Sequence, residues 1–543
     1  MTLRDRTPAW FRAAVVAIVL LGVFFRFYHL DRKVFWEDEI LGTVHTLGYT
    51  EAEIVENSNH LVDAGDVQAY FRPPDGLGLR KDSLMNTVDA LALEDPQHPP
   101  LYYLAGHLWA ERFGSSVAAI RALSAIIGVL VLPCLFWLCL ELFGSYAAAW
   151  TAVALTALSP FQVLYSQEAR EYTLWTVAIL LMSAAFLRAC RLMTLSAWAL
   201  YCVLVALSMY VYPFSGLVAL GEGVFLLSVP RLRASGAFVS YAAACLIAFA
   251  SFLPWLVVMV RSSGLRRGMA TILTHRVHVS TIAVTFLKNL RAVFIDFGRV
   301  QIHHVSSTEI NGAFTAVVAL LIAVSVYVMI RRTSWNVAGF VLLALCLPSA
   351  PLLIHDVAFG GILVDQSRYF VPVYLGAELA VVAFVYLNLF ELPAGVLRRS
   401  LTWCLLAALL FGEGLSCALS SRADTWWNKD YEVSRSVAAT IDGADRPLVV
   451  SDSYASRALG LAYYLDPRVA LRLHLTCDQC AGSAPAEDDL LADSSRFHTI
   501  FFLGASQRLL DRANLSGPAN LRYYIDVAAF PPRPSPLGMF LSI

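Results

Sequence analysis

Three consecutive acids follow a tryptophan where the first apolar run ends: Trp36, Glu37, Asp38 and Glu39, inside YHLDRKVFWEDEILGTVHTLGY from Tyr28 to Tyr49. If that run crosses a membrane, the acids stand at the water boundary on its far side. Carboxylates held against a bilayer are costly, so a cluster there reads as a functional site. A carboxylate at such a mouth is suited to take a proton from a reacting hydroxyl. The plain alternative is a solvated helix cap. Against it stand Trp36, an interface-type residue, and a following loop long enough to fold over the acids.

Three further groups carry residue types that chemistry uses. Asp95-Pro-Gln-His98-Pro99-Pro100-Leu-Tyr-Tyr103 is a proline-stiffened turn in the same loop, able to bring His98 back to the acids. Its bland reading is a rigid lead into a helix lying at the interface, with His98 incidental. Ser159-Pro-Phe-Gln-Val-Leu-Tyr165-Ser-Gln167-Glu168-Ala-Arg170-Glu171-Tyr172 sits in a short turn between apolar runs. It is either a salt-bridged turn or a fixed arginine suited to a phosphate. The third group joins Arg261, Arg266, Arg267, His275, Arg276, His278, Lys288, Arg291, Asp296, His303 and His304 with Asp365-Gln-Ser-Arg368-Tyr369. Its histidines lack a ligand pattern with a carboxylate, so a metal is not expected there.

Positioning such groups falls to a membrane scaffold. The chain is 58% hydrophobic and 15% charged, with a mean hydropathy of +0.62, the profile of a multi-spanning membrane protein. A net charge of −1 without a basic tract gives nucleic acid nothing to hold. The run Phe11 to Tyr28 lacks a small-residue cleavage site and ends in bulky side chains, so it is expected to remain as the first helix. Windows long enough to span fall near 10–28, 117–141, 146–164, 173–190, 195–212, 213–230, 237–260, 312–330, 335–354, 369–390 and 400–420, about eleven helices. Tyr210-Val-Tyr-Pro-Phe214 breaks one long run into two of them.

With a cytoplasmic N-terminus, the inward turns carry Arg188/Arg191, Arg231/Arg233, Arg331/Arg332 and Arg398/Arg399, as the positive-inside tendency asks; only Phe143-Gly-Ser145 is neutral. The outward side then holds the first loop, about 29–116, the loop 261–311, the segment 355–368 and the tail after Ser421. Positive charge in those outward loops goes against the same tendency and wants an anionic partner, a lipid headgroup or an isoprenoid phosphate. In the tail, strand-like Pro447–Ser451 and His498–Leu503 and a helical pattern over Tyr431–Ile441 predict a small α/β domain. The division is thus 1–420, a transmembrane domain, and 421–543, a soluble one. Eight of the ten cysteines lie in apolar runs; Cys477 and Cys480 lie in a polar one, where a local disulfide in an oxidising compartment fits better than a zinc knuckle or a redox motif.

Taken in order, these motifs resemble the integral-membrane glycosyltransferases of the GT-C superfamily, specifically bacterial family 39-like proteins related to protein O-mannosyltransferases and the lipid A aminoarabinose transferases. The resemblance rests on Trp36-Glu-Asp38-Glu39, His98-Pro-Pro-Leu-Tyr-Tyr103, Phe113-Gly114 with Arg121-Ala-Leu-Ser124, Ser159-Pro160 with Ser166-Gln-Glu-Ala-Arg170-Glu-Tyr172, and Arg368-Tyr369-Phe370. It covers the N-terminal third by motif and the later helices mainly through topology and the Arg368-Tyr369 pair.

What the resemblance implies is a polytopic α-helical membrane protein of GT-C type with a small C-terminal periplasmic α/β domain, in the bacterial inner membrane. It would transfer a sugar from a polyprenyl-phosphate donor, with inversion, to a lipid, glycan or protein acceptor on the periplasmic face. By position Asp38 falls on the general base. Glu39 orients an arginine or the acceptor, and Glu37 competes with both in register. Arg170 and Arg368 are expected at the donor phosphate, with Lys288 and Arg291 behind them; His98, Tyr172 and Tyr369 join Glu37 in lining the cavity. No cofactor is obligatory, a divalent metal being optional among such proteins.

The chemistry asks for the same residue types. Inverting transfer needs a carboxylate opposite the leaving group, and a departing lipid phosphate calls for preorganised cations. The rival readings are a lipid or solute transporter or flippase, and a non-catalytic scaffold. A transporter predicts polar or broken helices at mid-membrane, whereas the charges here gather at one face, Glu222 and Glu378 being exceptions.

Overall fold

The structure is a computed structural model and describes residues 7–71, 83–262, 277–298, 307–393, 395–429, 433–475, 491, 494–516 and 521–525. By internal contact the chain forms two compact units. One comprises Met1–Leu30, Pro96–Tyr102 and Arg121–Asn428; the other comprises Asp31–Asp95, Tyr103–Ile120 and Lys429–Ile543.

The first unit is a bundle of apolar helices, and every apolar window read from the sequence coincides with a helical segment. Among the described residues eight helices are long and apolar enough to cross a membrane, or nine if the pair Tyr146–Leu158 and Pro160–Ser166, bent by 62° at Ser159, counts as one span. The eleven windows expected from the sequence are these nine and two shorter apolar helices. The break at Tyr212 and Pro213 leaves two shorter helices, Leu195–Val211 and Ser215–Ser228, each below the roughly 20 residues a perpendicular span needs. Ser367–Glu391 runs through the middle with 89% of its apolar window buried, and Asn311–Arg332 lies at the rim with 17%.

Contacts among helix ends sort this unit into two faces. At one, Arg191 holds Glu141 with nitrogen–oxygen distances of 2.9–3.0 Å, Trp335 Nε1 donates to Ser228 Oγ, Phe143 packs on Tyr386, and Trp10 packs on Trp403. That face collects the basic pairs. At the other, Trp255 Nε1 donates to the carbonyl of Pro96 at 3.0 Å, and Gln167 reaches the end of the first helix, Ala9–Phe27. Alternation of the helices between the two faces therefore follows the register that the arginines suggest.

The first helix packs on Tyr146–Leu158 with almost no gap. A Cβ on Gly22 would run into the Ala157 carbonyl oxygen. One turn on, the buried Arg26 guanidinium donates to the carbonyls of Gly22, Ala157 and Thr156 at 3.0, 2.6 and 3.2 Å. In lipid such a charge is tolerated only when turned inward and hydrogen-bonded.

The second unit is built on a five-stranded sheet, β1 Leu61–Asp63, β2 Pro447–Ser451, β3 Ala470–Leu473, β4 Thr499–Leu503 and β5 Leu521–Ile525, in spatial order β1-β3-β2-β4-β5. β2, β3, β4 and β5 run parallel, with the helices Ala455–Ala462 and Gln507–Ser516 between consecutive strands. The two strands expected from the sequence are β2 and β4, and the expected helix is Val433–Asp442. Their apolar runs are continuous because the central parallel strands are covered on both faces; Leu448, Val450, Ile500 and Phe502 meet Leu509 and Ala513 in one core.

The unit does not begin at residue 421, however. β1, from the first loop, closes the sheet antiparallel to β3, with Val62 opposite Leu471. Gln68 Nε2 donates to the carbonyls of Ala462 and Leu465 at 2.8 Å each, and Leu475 N–H donates to Asn59 Oδ1. First loop and tail fold together, a pairing between distant segments that local sequence pattern does not announce.

Replacing Gly22 by alanine is expected to destabilise the folded protein by about 1–3 kcal/mol through overpacking. Gly216→Ala, with nothing within 4 Å of the added methyl, should leave stability unchanged or raise it by up to about 1 kcal/mol. Thermal unfolding of the two variants side by side in detergent measures the difference.

Candidate functional site

Within the first unit the site grows from the segment after the bend at Ser159. Ser159 caps the short helix Pro160–Ser166, with proline at the first position where no N–H is needed, and its hydroxyl donates to the carbonyl of Val293 at 2.6 Å. Beyond the helix, Gln167 Nε2 donates to the carbonyls of Phe25 and Tyr28 at 2.7 and 3.0 Å. Those carbonyls lie at a helix end and lack partners of their own. The stretch expected to be a short turn between apolar runs is buried throughout, so its polar groups must find partners within the protein.

Glu171 is fully buried. His98 Nδ1 lies 2.7 Å from its Oε1, and Arg170 Nε lies 3.4 Å from its Oε2. Arg170 Nη2 is also 2.9 Å from His98 Nε2. A guanidinium has no acceptor, so Nε2 must offer its lone pair and the ring proton sits on Nδ1, facing the carboxylate. Burial acts to raise the Glu171 pKa, but Arg170 first and His98 second outweigh it and hold the carboxyl well below its ordinary range. Histidine, arginine and carboxylate thus lock one another in a single geometry.

The next residue links this lock to a distant part of the chain. The Tyr172 ring centroid is 5.8 Å from Arg170 Cζ and 5.4 Å from Arg368 Cζ, and Arg368 also lies 5.7 Å from the Tyr369 ring. Two guanidiniums far apart in sequence share one tyrosine. Around them Tyr212 stacks against Tyr172, Trp175 and Tyr369 at 5.9, 4.7 and 6.2 Å. Burial pushes the Tyr212 phenol well above its usual range, so this wall stays neutral. Arg368 is positioned by the turn before it, where the Asp356 carboxylate accepts the N–H groups of Leu363 and Val364 at 3.2 and 2.8 Å and Gly361, with φ of 143°, takes a conformation only glycine adopts readily. Ser367 Oγ pairs with the Tyr165 hydroxyl oxygen, Oη, at 2.9 Å. Arg368 itself is half-buried. Such an arrangement can receive an anion beside an aromatic wall.

In the second unit Glu37, Asp38 and Glu39 form the first turn of the helix Glu37–Thr46, capped by Trp36. Negative charge is favoured there by the helix dipole. Glu39 is buried, while Glu37 and Asp38 are half-buried. Residues of the tail hold this turn. Lys429 Nζ stands 3.0 Å from the Trp36 ring centroid, Phe35 N–H donates to the Tyr464 hydroxyl at 2.6 Å, and Arg457 Nε lies 3.5 Å from Glu37 Oε1. At the helix's other end His45 Nε2 meets Glu94 Oε2 at 3.0 Å, a carboxylate that also accepts Glu51 N–H and Ala52 N–H.

Of the residues singled out from the sequence, His98, Arg170, Tyr172, Arg368 and Tyr369 are brought together in the first unit. Lys288 is exposed on the helix Val279–Phe294. Arg291, on the same helix, is buried but turned toward Asn311 Oδ1 at 2.6 Å, the Ile295 carbonyl at 2.9 Å and Asp296 Oδ1 at 3.4 Å. Cys477, Cys480, Arg266, Arg267, His275, Arg276, His303 and His304 lie outside the described residues. Glu171 and Tyr212 were passed over as site residues. Their signals were adjacency to Arg170 and a place in the aromatic break Tyr210–Phe214.

Residues 97–257 match the family model described as dolichyl-phosphate-mannose-protein mannosyltransferase. No curated protein matches the chain. Among solved structures the chain is similar to ArnT from Cupriavidus metallidurans bound to undecaprenyl phosphate, at 14% identity and a TM-score of 0.50 over 95% of this chain and 93% of that one. The apo state of the same protein gives 13% and 0.50, over 94% and 92%. A looser likeness, at a TM-score of 0.44 and 14% identity, is to the Archaeoglobus fulgidus oligosaccharyltransferase, over 84% of this chain and 64% of that one. At these identities the likeness is one of fold, shared with ArnT over nearly the whole chain, and the family model adds a match over residues 97–257 that includes the His98, Arg170 and Tyr172 motifs.

Truncating Glu171 to alanine would leave Arg170 buried without its carboxylate, at an expected cost of about 3–5 kcal/mol. Because the folded carboxyl is depressed, its contribution is fully present above the unfolded value, about pH 4.3, and is lost only as pH falls through the lower folded value. The difference in melting temperature between wild type and Glu171→Ala should therefore stay constant from about pH 8 to about pH 5.5 and narrow below about pH 4.

Proposed function

We propose that the chain is an inverting glycosyltransferase that takes a sugar from a polyprenyl-phosphate donor and passes it to an acceptor at the extracytoplasmic face of a bacterial inner membrane. The observation that carries this reading is the meeting of Arg170 and Arg368 on the Tyr172 ring. A lipid phosphodiester leaving as a phosphomonoester gains negative charge, and two guanidiniums held in advance lower that cost without reorganising. The lock on Arg170 fixes one of them. Half-exposed Arg368 gives the phosphate its approach, and the tyrosines offer the apolar side along which an isoprenoid enters.

Asp38 is assigned as the base that takes the acceptor hydroxyl's proton while the acceptor oxygen bonds to C1 and the C1–phosphate bond breaks. Glu39 supports it and Glu37, paired with Arg457, is the weaker rival in register. Arg291 serves its own neighbours first, so it and Lys288 stand behind Arg170 and Arg368 in this assignment. ArnT is named as binding undecaprenyl phosphate, and the same class of lipid is proposed here by likeness of fold. The reaction is written through this chain's own side chains, with no metal step.

Transport draws less support. Two of the carboxylates inside apolar helices are met by hydroxyls of neighbouring helices, while Glu413, buried in Val396–Arg422, has no hydrogen-bond partner among the described residues. Glu222 accepts from Ser183 at 3.0 Å and Tyr201 at 2.7 Å, and Glu378 accepts from Thr156. These ties read as helix-to-helix joints.

In membranes supplied with polyprenyl-phosphate sugars, Asp38→Asn should cut transfer by about 10²–10⁴-fold and Arg368→Ala by about 10²–10³-fold, both folding and inserting as wild type does. Mass spectrometry of envelope lipids, glycans and proteins with and without the gene identifies sugar and acceptor, and the same assay with chelator or added divalent ion tests the metal. Unaltered envelope glycans with full activity of Asp38→Asn would overturn the proposal.

A further inference from the structure

The face of the helical unit that bears the basic pairs carries a feature unrelated to the site above. Between the end of the central helix and the start of Val396–Arg422 lies an open cavity of about 350 Å³. Phe384, Leu401 and Leu405 form its apolar wall, and Asn388, Arg398 and Thr402 its polar end. The helix widens to a π-helical turn over Leu387–Glu391, which places Asn388 in the wall. Its amide nitrogen donates to the Phe384 carbonyl at 2.7 Å, while its side-chain oxygen, buried, has no hydrogen-bond partner among the described residues. The Thr402 hydroxyl is used within its own helix, on the Arg398 carbonyl. Arg398 is exposed, and among the described residues no carboxylate pairs with it.

Depth is marked independently by aromatic side chains. Trp10, Phe11, Phe390 and Trp403 pack in one cluster beside the cavity, with ring centroids 5.2–5.9 Å apart, and clustered tryptophan is characteristic of the headgroup level. A half-apolar, half-basic recess between spanning helices at that level, on the side richest in arginine, has the chemistry of an anionic lipid site.

We propose that this recess holds one anionic glycerophospholipid, its phosphodiester at Arg398 and its acyl chain along Phe384, Leu401 and Leu405. The assignment is independent of sugar transfer. Phosphatidylglycerol has the negative charge; phosphatidylcholine and phosphatidylethanolamine have no net charge.

The test is native mass spectrometry of the full-length, delipidated protein in non-ionic detergent, titrated with the three lipids bearing identical acyl chains. Phosphatidylglycerol should bind one tight site at least tenfold better than phosphatidylcholine and better than phosphatidylethanolamine. Arg398→Ala should lower that affinity about tenfold, the scale of a charge-assisted hydrogen bond. Arg399→Ala, one residue away, should change nothing. Equal binding of the three lipids, phosphatidylethanolamine matching phosphatidylglycerol, or equal losses in Arg398→Ala and Arg399→Ala would each overturn the proposal, the last by reducing it to diffuse surface charge.

Discussion

A charge removed from water must meet its opposite or be abandoned, and the centre of this protein is arranged around that demand. Arg170 is buried, so Glu171 must answer it. Once Glu171 is fixed, His98 has one ring nitrogen for the carboxylate and the other for the guanidinium. Everything around the trio serves to keep it in place: the Gln167 amide on the end of the first helix, the Trp255 indole on Pro96, and the aromatic wall through Tyr172 and Tyr212. Arg368 then finds a prepared partner in the Tyr172 ring.

Much of the bundle could be read in advance because lipid leaves the backbone few options. An apolar run of sufficient length becomes a helix, and the arginine pairs gather at one face of the bundle. Asp95–Tyr103, Ser159–Tyr172 and Asp365–Tyr369 stood out because lipid-facing helices have no other use for so many polar side chains. What escaped the reading depends on distance along the chain. Arg291 was legible as a cation but not as the partner of Asn311. Gly361 and Asp356 shape the turn that presents Arg368, yet one is a glycine among many and the other an acid outside any motif. The break at Tyr210–Phe214 was legible from its proline, whereas the shortness of the two helices on either side of it was not.

The α/β unit shows the same divide. β2 and β4 were visible as apolar runs, since a strand covered on both faces has no polar alternation to disguise it. β1 has three residues and no such run; only its pairing with β3 makes it a strand. A boundary drawn where composition changes therefore falls at 421, whereas the folded unit reaches back to Asp31. The acid turn belongs to this unit, and its tryptophan, its backbone and Glu37 are each held by residues from the tail. The tail is thus part of what shapes the acids, whatever further role it has.

That shared sheet also fixes a parity. A strand from the first loop and one from the tail can pair only if both emerge on the same side, so the chain between them must traverse the bilayer an even number of times. Among the described residues the first of the eight long apolar helices precedes β1, leaving seven, an odd number. The kinked pair at Ser159 restores evenness if it is a full traverse and the two short helices either both cross or jointly dip and return. A hydrogen-bond ladder of three residues thereby limits which combinations of the kinked pair and the two short helices can cross.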